Sequence, residues 1–122
     1  MKFAALFLVL FSSISAYAWE CEAWVWVNSD SGISILNVRE PMTDVLGDQS
    51  NYSSTYKKDG VVVRLNVQRE SGRVTVTIHN KNNLLLNNTS NVGQFSTQQQ
   101  MVAYDTRANG HGIKANAGIS CL

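Results

Sequence analysis

Two histidines, His79 and His111, are the side chains of this sequence whose ordinary pKa lies near neutrality. Acid–base catalysis would therefore start from one of them, held beside a carboxylate. His79 falls at the end of a strand-like run, and His111 lies in the glycine turn of "ANGHGIK". Asp44, Asp48, Asp59 and Glu70 fall in or near turns. No spacing among them assigns one carboxyl as acid and another as base. The sequence contains no G-x-S-x-G elbow, no phosphate-cradling Gly-Lys-Ser loop and no His-Glu-x-x-His helix. Zinc takes three or four His, Cys or carboxylate ligands, and both cysteines are better explained as a disulfide. No metal, cofactor or catalytic residue is expected, and the protein is read as a non-enzyme. A small hydrolase, with His79 and His111 converging in a cleft, is the weaker alternative.

Binding chemistry is more visible. The stretch "WECEAWVWV", Trp19 to Val27, splits by alternation into two faces. Cys21, Ala23, Val25 and Val27 form the apolar one; Glu20, Glu22, Trp24 and Trp26 share the other. Two indoles beside two carboxylates make an amphipathic patch. Trp supplies large contact area and one hydrogen-bond donor, and such residues dominate interface energies. The acids would select a basic partner or accept from sugar hydroxyls. Alternatively, the indoles lie flat over Gly118 or under the 40–50 connection and bind nothing. Lys57, Arg64, Arg73 and His79 share the outer phase of later strands and form a second candidate patch.

Partner class is further bounded by charge. Met1-Lys2, the apolar run Phe3 to Phe11 and the small-residue end Ala16-Tyr17-Ala18 follow the order of a secretory signal peptide. The run is too short to span a bilayer. Cleavage after Ala18 is expected, leaving one domain over 19–122 with nine basic and nine acidic residues. A neutral chain lacks the clustered cations of general nucleic-acid binding, and no later segment is apolar enough to span a membrane. Residues 19–48 hold one Arg against six acids, and residues 57–81 hold six cations against two. An uneven distribution of this kind can orient a partner. Two cysteines in an exported chain predict a Cys21–Cys121 bond. The short signal with its Ala-Tyr-Ala end reads as bacterial, placing the protein in the periplasm or outside the cell.

Period-two runs of Val, Ile, Thr and aromatics, punctuated by Gly, Asn, Asp and Ser, make the domain all-β. Strands are predicted near 19–27, 32–39, 52–58, 61–69, 73–79, 83–87, 99–106 and 112–121. A longer connection around Pro41 and Gly47 has room for a helical turn. Residues 80–100, rich in Asn, predict a short strand with mobile flanks. Asp59-Gly60 is a two-residue hairpin signal, pairing Tyr56 with Val63 and Tyr52 with Val67. A two-residue loop at Ser71-Gly72 would set Val67 opposite Val76, Leu65 opposite Ile78 and Glu70 opposite Arg73. A three-residue loop would split the apolar faces. The first and last strands each carry a cysteine in apolar phase, and an even strand count makes them antiparallel. The expected fold is a small closed up-and-down antiparallel barrel of about eight strands with the disulfide near its seam. A two-sheet sandwich is the alternative. Its expected role is that of a binding module for an unidentified protein or glycan, with inhibition among the roles considered. A self-associating envelope protein is the competing reading, and both rest on fold-level analogy.

Overall fold

The computed structural model describes residues 20–91 and 102–122. The leader, Trp19 and the flank after Asn91 lie outside the described residues. Nine strands are present among the described residues: β1 Cys21–Ser29, β2 Ser34–Pro41, β3 Thr43–Asp44, β4 Asn51–Lys58, β5 Val61–Gln68, β6 Arg73–Asn80, β7 Asn83–Asn91, β8 Val102–Gly110 and β9 Ile113–Cys121. They form two antiparallel sheets, β2-β1-β9-β8 and β3-β4-β5-β6-β7. No helix occurs among the described residues, so the 40–50 connection contains β3 and a series of bends instead of a helical turn.

The strand order is that of an up-and-down meander whose last strand returns to the first, as closure by the cysteines implies. The barrel itself does not form. Hydrogen bonding is interrupted between β2 and β3 and between β7 and β8, leaving a sandwich. Residues at these corners explain the opening. Strand β2 ends in Pro41, which has no N–H for a ladder. Its inward-phase Glu40, paired with Ala23, is exposed. Along β7, the partners of core residues Val76 and Val74 are Asn88 and Ser90. Polar groups in the inward phase cannot continue an apolar core around a bend. At one corner the chain itself passes between the sheets at Met42, whose N–H donates to the Cys21 carbonyl over 2.9 Å. At the other, the Asn88 amide donates to the Thr106 hydroxyl at 3.5 Å. Because β2 and β3 are separated by Met42 alone, the meander still counts as eight passes, with the sheet switch inside the second.

The core lies between the inner faces. Ala23, Val25, Val27, Ala115, Ala117 and Ile119 from one sheet meet Val61, Val63, Leu65, Val67, Val74, Val76 and Ile78 from the other. Each fully buried Val, Leu or Ile contributes about 1.5–3 kcal/mol. Tyr52 and Tyr56 lie on the predicted inner face, the first buried and the second half-buried. Cys21 and Cys121 are directly opposed in the β1–β9 ladder and are bonded, with Cα atoms 4.0 Å apart. Glu20 and Leu122 exchange both backbone hydrogen bonds beside them. The cysteines therefore occupy the adjacent, closer, non-hydrogen-bonded pair.

The hairpin at Asp59-Gly60 has the predicted register, Tyr56 with Val63 and Tyr52 with Val67. Both turn residues have positive φ, 52° and 84°, as a type I′ turn requires. The next hairpin is shifted by two residues from expectation. Val67 pairs with Val74, Leu65 with Val76, and Gln68 rather than Glu70 faces Arg73. Its loop is the four residues 69–72, in which the Gly72 N–H donates to the Gln68 carbonyl at 2.9 Å and Gly72 takes φ 67°. A two-residue shift keeps every side chain on its face. What distinguishes the observed register is Val74, which would otherwise sit opposite Arg69.

Candidate functional site

Strand β1 presents its sides as alternation predicts. Cys21, Ala23, Val25 and Val27 are buried, while Glu22, Trp24 and Trp26 point away from the core. The neighbours of β1 then decide what each outward residue meets. Trp24 stands between Arg39 on β2 and Gly118 on β9. Gly118 is in the outward phase, has no side chain of its own and is nevertheless buried. The half-buried indole of Trp24 stands in direct register with it, the arrangement in which an aromatic can cover a sheet glycine. Trp26 stands between Asn37 and Asn116 and remains 43% exposed. The two indoles thus have different tasks.

The acids also separate from the exposed indole. Glu22 forms an ion pair with Arg39. It lies at the disulfide end, where a depression of about 650 Å³ is lined by Glu20, Glu22, Arg39, Asp44 and Tyr52, among others. Asp44 is occupied there by the loop that follows it, accepting from the N–H groups of Gly47 and Gln49. Burial, followed by the nearby Asp44 and Glu20 carboxylates, pushes the Tyr52 phenol above its ordinary 10.0.

Trp26 lines a different depression, of about 450 Å³, together with Arg107, Asn109, Lys114, Asn116 and the edges of Ala108 and Ala115. Two rows of side chains cross three strands here: Trp26, Asn116 and Arg107 in one, Asn28, Lys114 and Asn109 in the next. At the usual strand separation, Trp26 and Arg107 stand about 10 Å apart across the sheet. The acids of the sequence patch do not line the depression at Trp26. Its depression has two cations and no acid in its lining, because β9 and β8 bring Lys114 and Arg107 beside it while Arg39 neutralises Glu22. The Asn28 and Asn116 side-chain oxygens are shielded from solvent and have no hydrogen-bond partner among the described residues. A buried acceptor left without a donor costs about 1–3 kcal/mol.

Arg107, Lys114, Asn109 and Asn116 were not singled out from sequence. The available signal was the alternation of "YDTRANG" and "GIKANAGISCL", which puts all four in the polar phase of their strands. The second candidate patch is divided. Lys57 and His79 share a row on the outer face of the five-stranded sheet, separated by Val62, and Arg64 lies in the adjoining row. Arg73 lies six residues along β6 from His79, about 20 Å at strand rise. His79 is half-buried with its Nδ1 unpartnered among the described residues, and His111 is exposed in the β8–β9 turn. Neither lines the two depressions described. No group of three or more His, Cys, Asp and Glu able to hold a metal occurs among the described residues, and no helix among them is long and apolar enough to cross a membrane. Comparison with protein-family models, with curated proteins and with solved structures returns no match.

Proposed function

We propose that this protein is an exported, non-catalytic binding module that holds a protein or glycan ligand on the outer face of its four-stranded sheet, around Trp26. The observation that carries this reading is the 43% exposure of Trp26 on the second strand of a paired sheet, at the rim of a depression. Trp24, on the same strand, is half-buried and in register with the bare backbone of Gly118. Trp26 stands between Asn37 and Asn116, which carry side chains of their own, and its exposed apolar area is free for a partner. The signal-like first eighteen residues and the Cys21–Cys121 bond support export to an oxidising compartment. Inhibition of an extracellular enzyme is one activity open to such a module.

The test uses Trp26→Ala and Trp24→Ala variants on arrays of immobilised glycans and secreted proteins. Trp26→Ala is expected to lose the wild-type binding pattern while its melting temperature holds. Trp24→Ala is expected to lower the melting temperature, because Gly118 is uncovered. Full retention of the pattern by Trp26→Ala overturns the proposal.

A further inference from the structure

Resting on that reading of the Trp26 face, we propose that its ligand is an anionic saccharide, one bearing carboxylate or sulfate groups. Three features of the depression converge on this class. The first is the indole itself. The face of an aromatic ring is negative and its edge positive, so the polarised C–H groups on one side of a sugar ring stack against it. The second is charge. Arg107 and Lys114 are both exposed, line the depression and form no ion pair with a described residue. Arg107 offers a planar fork and Lys114 a point charge to carboxylate or sulfate oxygens. The nearest acids in register are Asp105, one row along β8, and Asp30 in the β1–β2 turn, whose N–H donates to the Gly112 carbonyl. Neither enters the lining.

The third feature is the amide set. Asn109 and Asn116 line the depression, and Asn28 lies opposite Lys114. Amide side chains both donate and accept, as sugar hydroxyls do. The Asn28 and Asn116 oxygens lack donors among the described residues. A hydroxyl-rich ligand brings donors to them, reached by a change in the rotamer of the exposed Trp26. An acidic peptide side chain or a phosphate backbone brings mainly acceptors, which satisfy the cations and leave these oxygens as they are. The cations account for the anionic part of the ligand and the amides for its hydroxyls.

Titration of intrinsic tryptophan fluorescence in the full mature protein tests this. The probes are a short oligogalacturonate, its methyl ester, a short heparin oligosaccharide, oligoglutamate and oligothymidylate. Oligogalacturonate or the heparin oligosaccharide is expected to bind; oligogalacturonate bears carboxylates alone and heparin both groups, so binding of oligogalacturonate identifies carboxylate as sufficient and binding of heparin alone identifies sulfate as required. The methyl ester, which keeps the ring and masks the charge, is expected to bind at least tenfold more weakly than its parent. Arg107→Gln and Lys114→Gln should each weaken binding about tenfold, and Asp105→Asn should tighten it. Asn116→Ala should weaken binding without lowering the melting temperature, since it removes an acceptor that the fold leaves unpaired. A lower melting temperature with unchanged affinity would make Asn116 structural and remove the hydroxyl-recognition argument. Equal binding of oligoglutamate or oligothymidylate would reduce the face to general anion attraction and overturn the proposal. So would equal binding of the methyl ester, or no binding by either acidic saccharide. If these fail while Trp26→Ala still abolishes binding to some other arrayed ligand, the binding-module reading stands and the saccharide inference falls.

Discussion

Replacing both cysteines by alanine gives the sharpest test of how the sandwich is held together. The Cys21–Cys121 bond joins residues 100 apart in sequence. In the chain-entropy description, a crosslink closing a loop of about 100 residues raises the free energy of the unfolded chain by about 4.7 kcal/mol at 25 °C. The folded state loses little by comparison. Both side chains are buried at the edge of the core, and the nine-pair β1–β9 ladder keeps its backbone bonds. In a domain of this size each kcal/mol moves the melting temperature by about 4–8 °C, so a fall of about 20 °C or more is expected. Thermal melts of wild type, of the Cys21→Ala/Cys121→Ala variant and of wild type held in reductant should place the last two together. The denaturant m-value of the variant should rise, because its unfolded chain expands further. Folding of the variant to the same β-sheet spectrum, with a melting temperature within about 5 °C of wild type, would refute the argument. It would show that the unfolded chain is already compact enough without the crosslink for the bond to remove little of its freedom.

Two further substitutions probe the opposite end of the sandwich. Asn80 is buried, and its amide donates to the His111 carbonyl at 2.7 Å, linking the β6–β7 turn to the β8–β9 turn across the two sheets. Asn80→Ala should cost about 1–3 kcal/mol and accelerate amide exchange in residues 110–113; unchanged exchange there would show that the link does not hold the turns together. Gly60→Ala should cost about 1–2 kcal/mol, because φ 84° is a left-handed conformation for a residue with a Cβ. The new methyl would also meet the Lys81 Cγ at 3.3 Å, and an unchanged melting temperature would mean that this turn relaxes to another type.

The sequence carries the alternation of these strands in full and the closure of their sheets only in part. Each side chain from Cys21 to Val27 faces the side its parity assigns, and the β1–β9 register follows from placing the two cysteines opposite one another. Register between β5 and β6 needed a finer criterion. Shifts of two residues leave the faces unchanged, so parity excludes the three-residue loop and leaves two- and four-residue loops in competition. Counting apolar pairs separates them. The observed register matches Val67 with Val74, Leu65 with Val76 and Val63 with Ile78, whereas the shorter loop would place Val63 opposite Asn80 and Val74 opposite Arg69. Barrel closure was illegible for a related reason. A meander with paired ends has the same strand order whether or not its corners zip, and the decision rests on a few inward-phase polar residues at the corners: Glu40, Asn88 and Ser90.

The candidate site shows the same division between what one strand specifies and what its neighbours add. Alternation along β1 turns both indoles outward, yet it cannot distinguish them. The distinction comes from β9, which places glycine beside Trp24 and asparagine beside Trp26. Where the neighbour lacks a side chain, the indole is half-buried against the sheet. Where the neighbour carries an amide, the indole stays at the surface. The charge of the site is likewise set across strands. Glu22 precedes Trp24 by two residues and looks in the sequence like its companion, but Arg39 of β2 takes up that carboxylate. Lys114 and Arg107, eighty or so residues further along the chain, are brought beside Trp26 by the return of β9 to β1. Because the same return aligns Cys21 with Cys121, the disulfide that closes the chain also fixes the register in which cations and amides, rather than acids, flank the exposed indole.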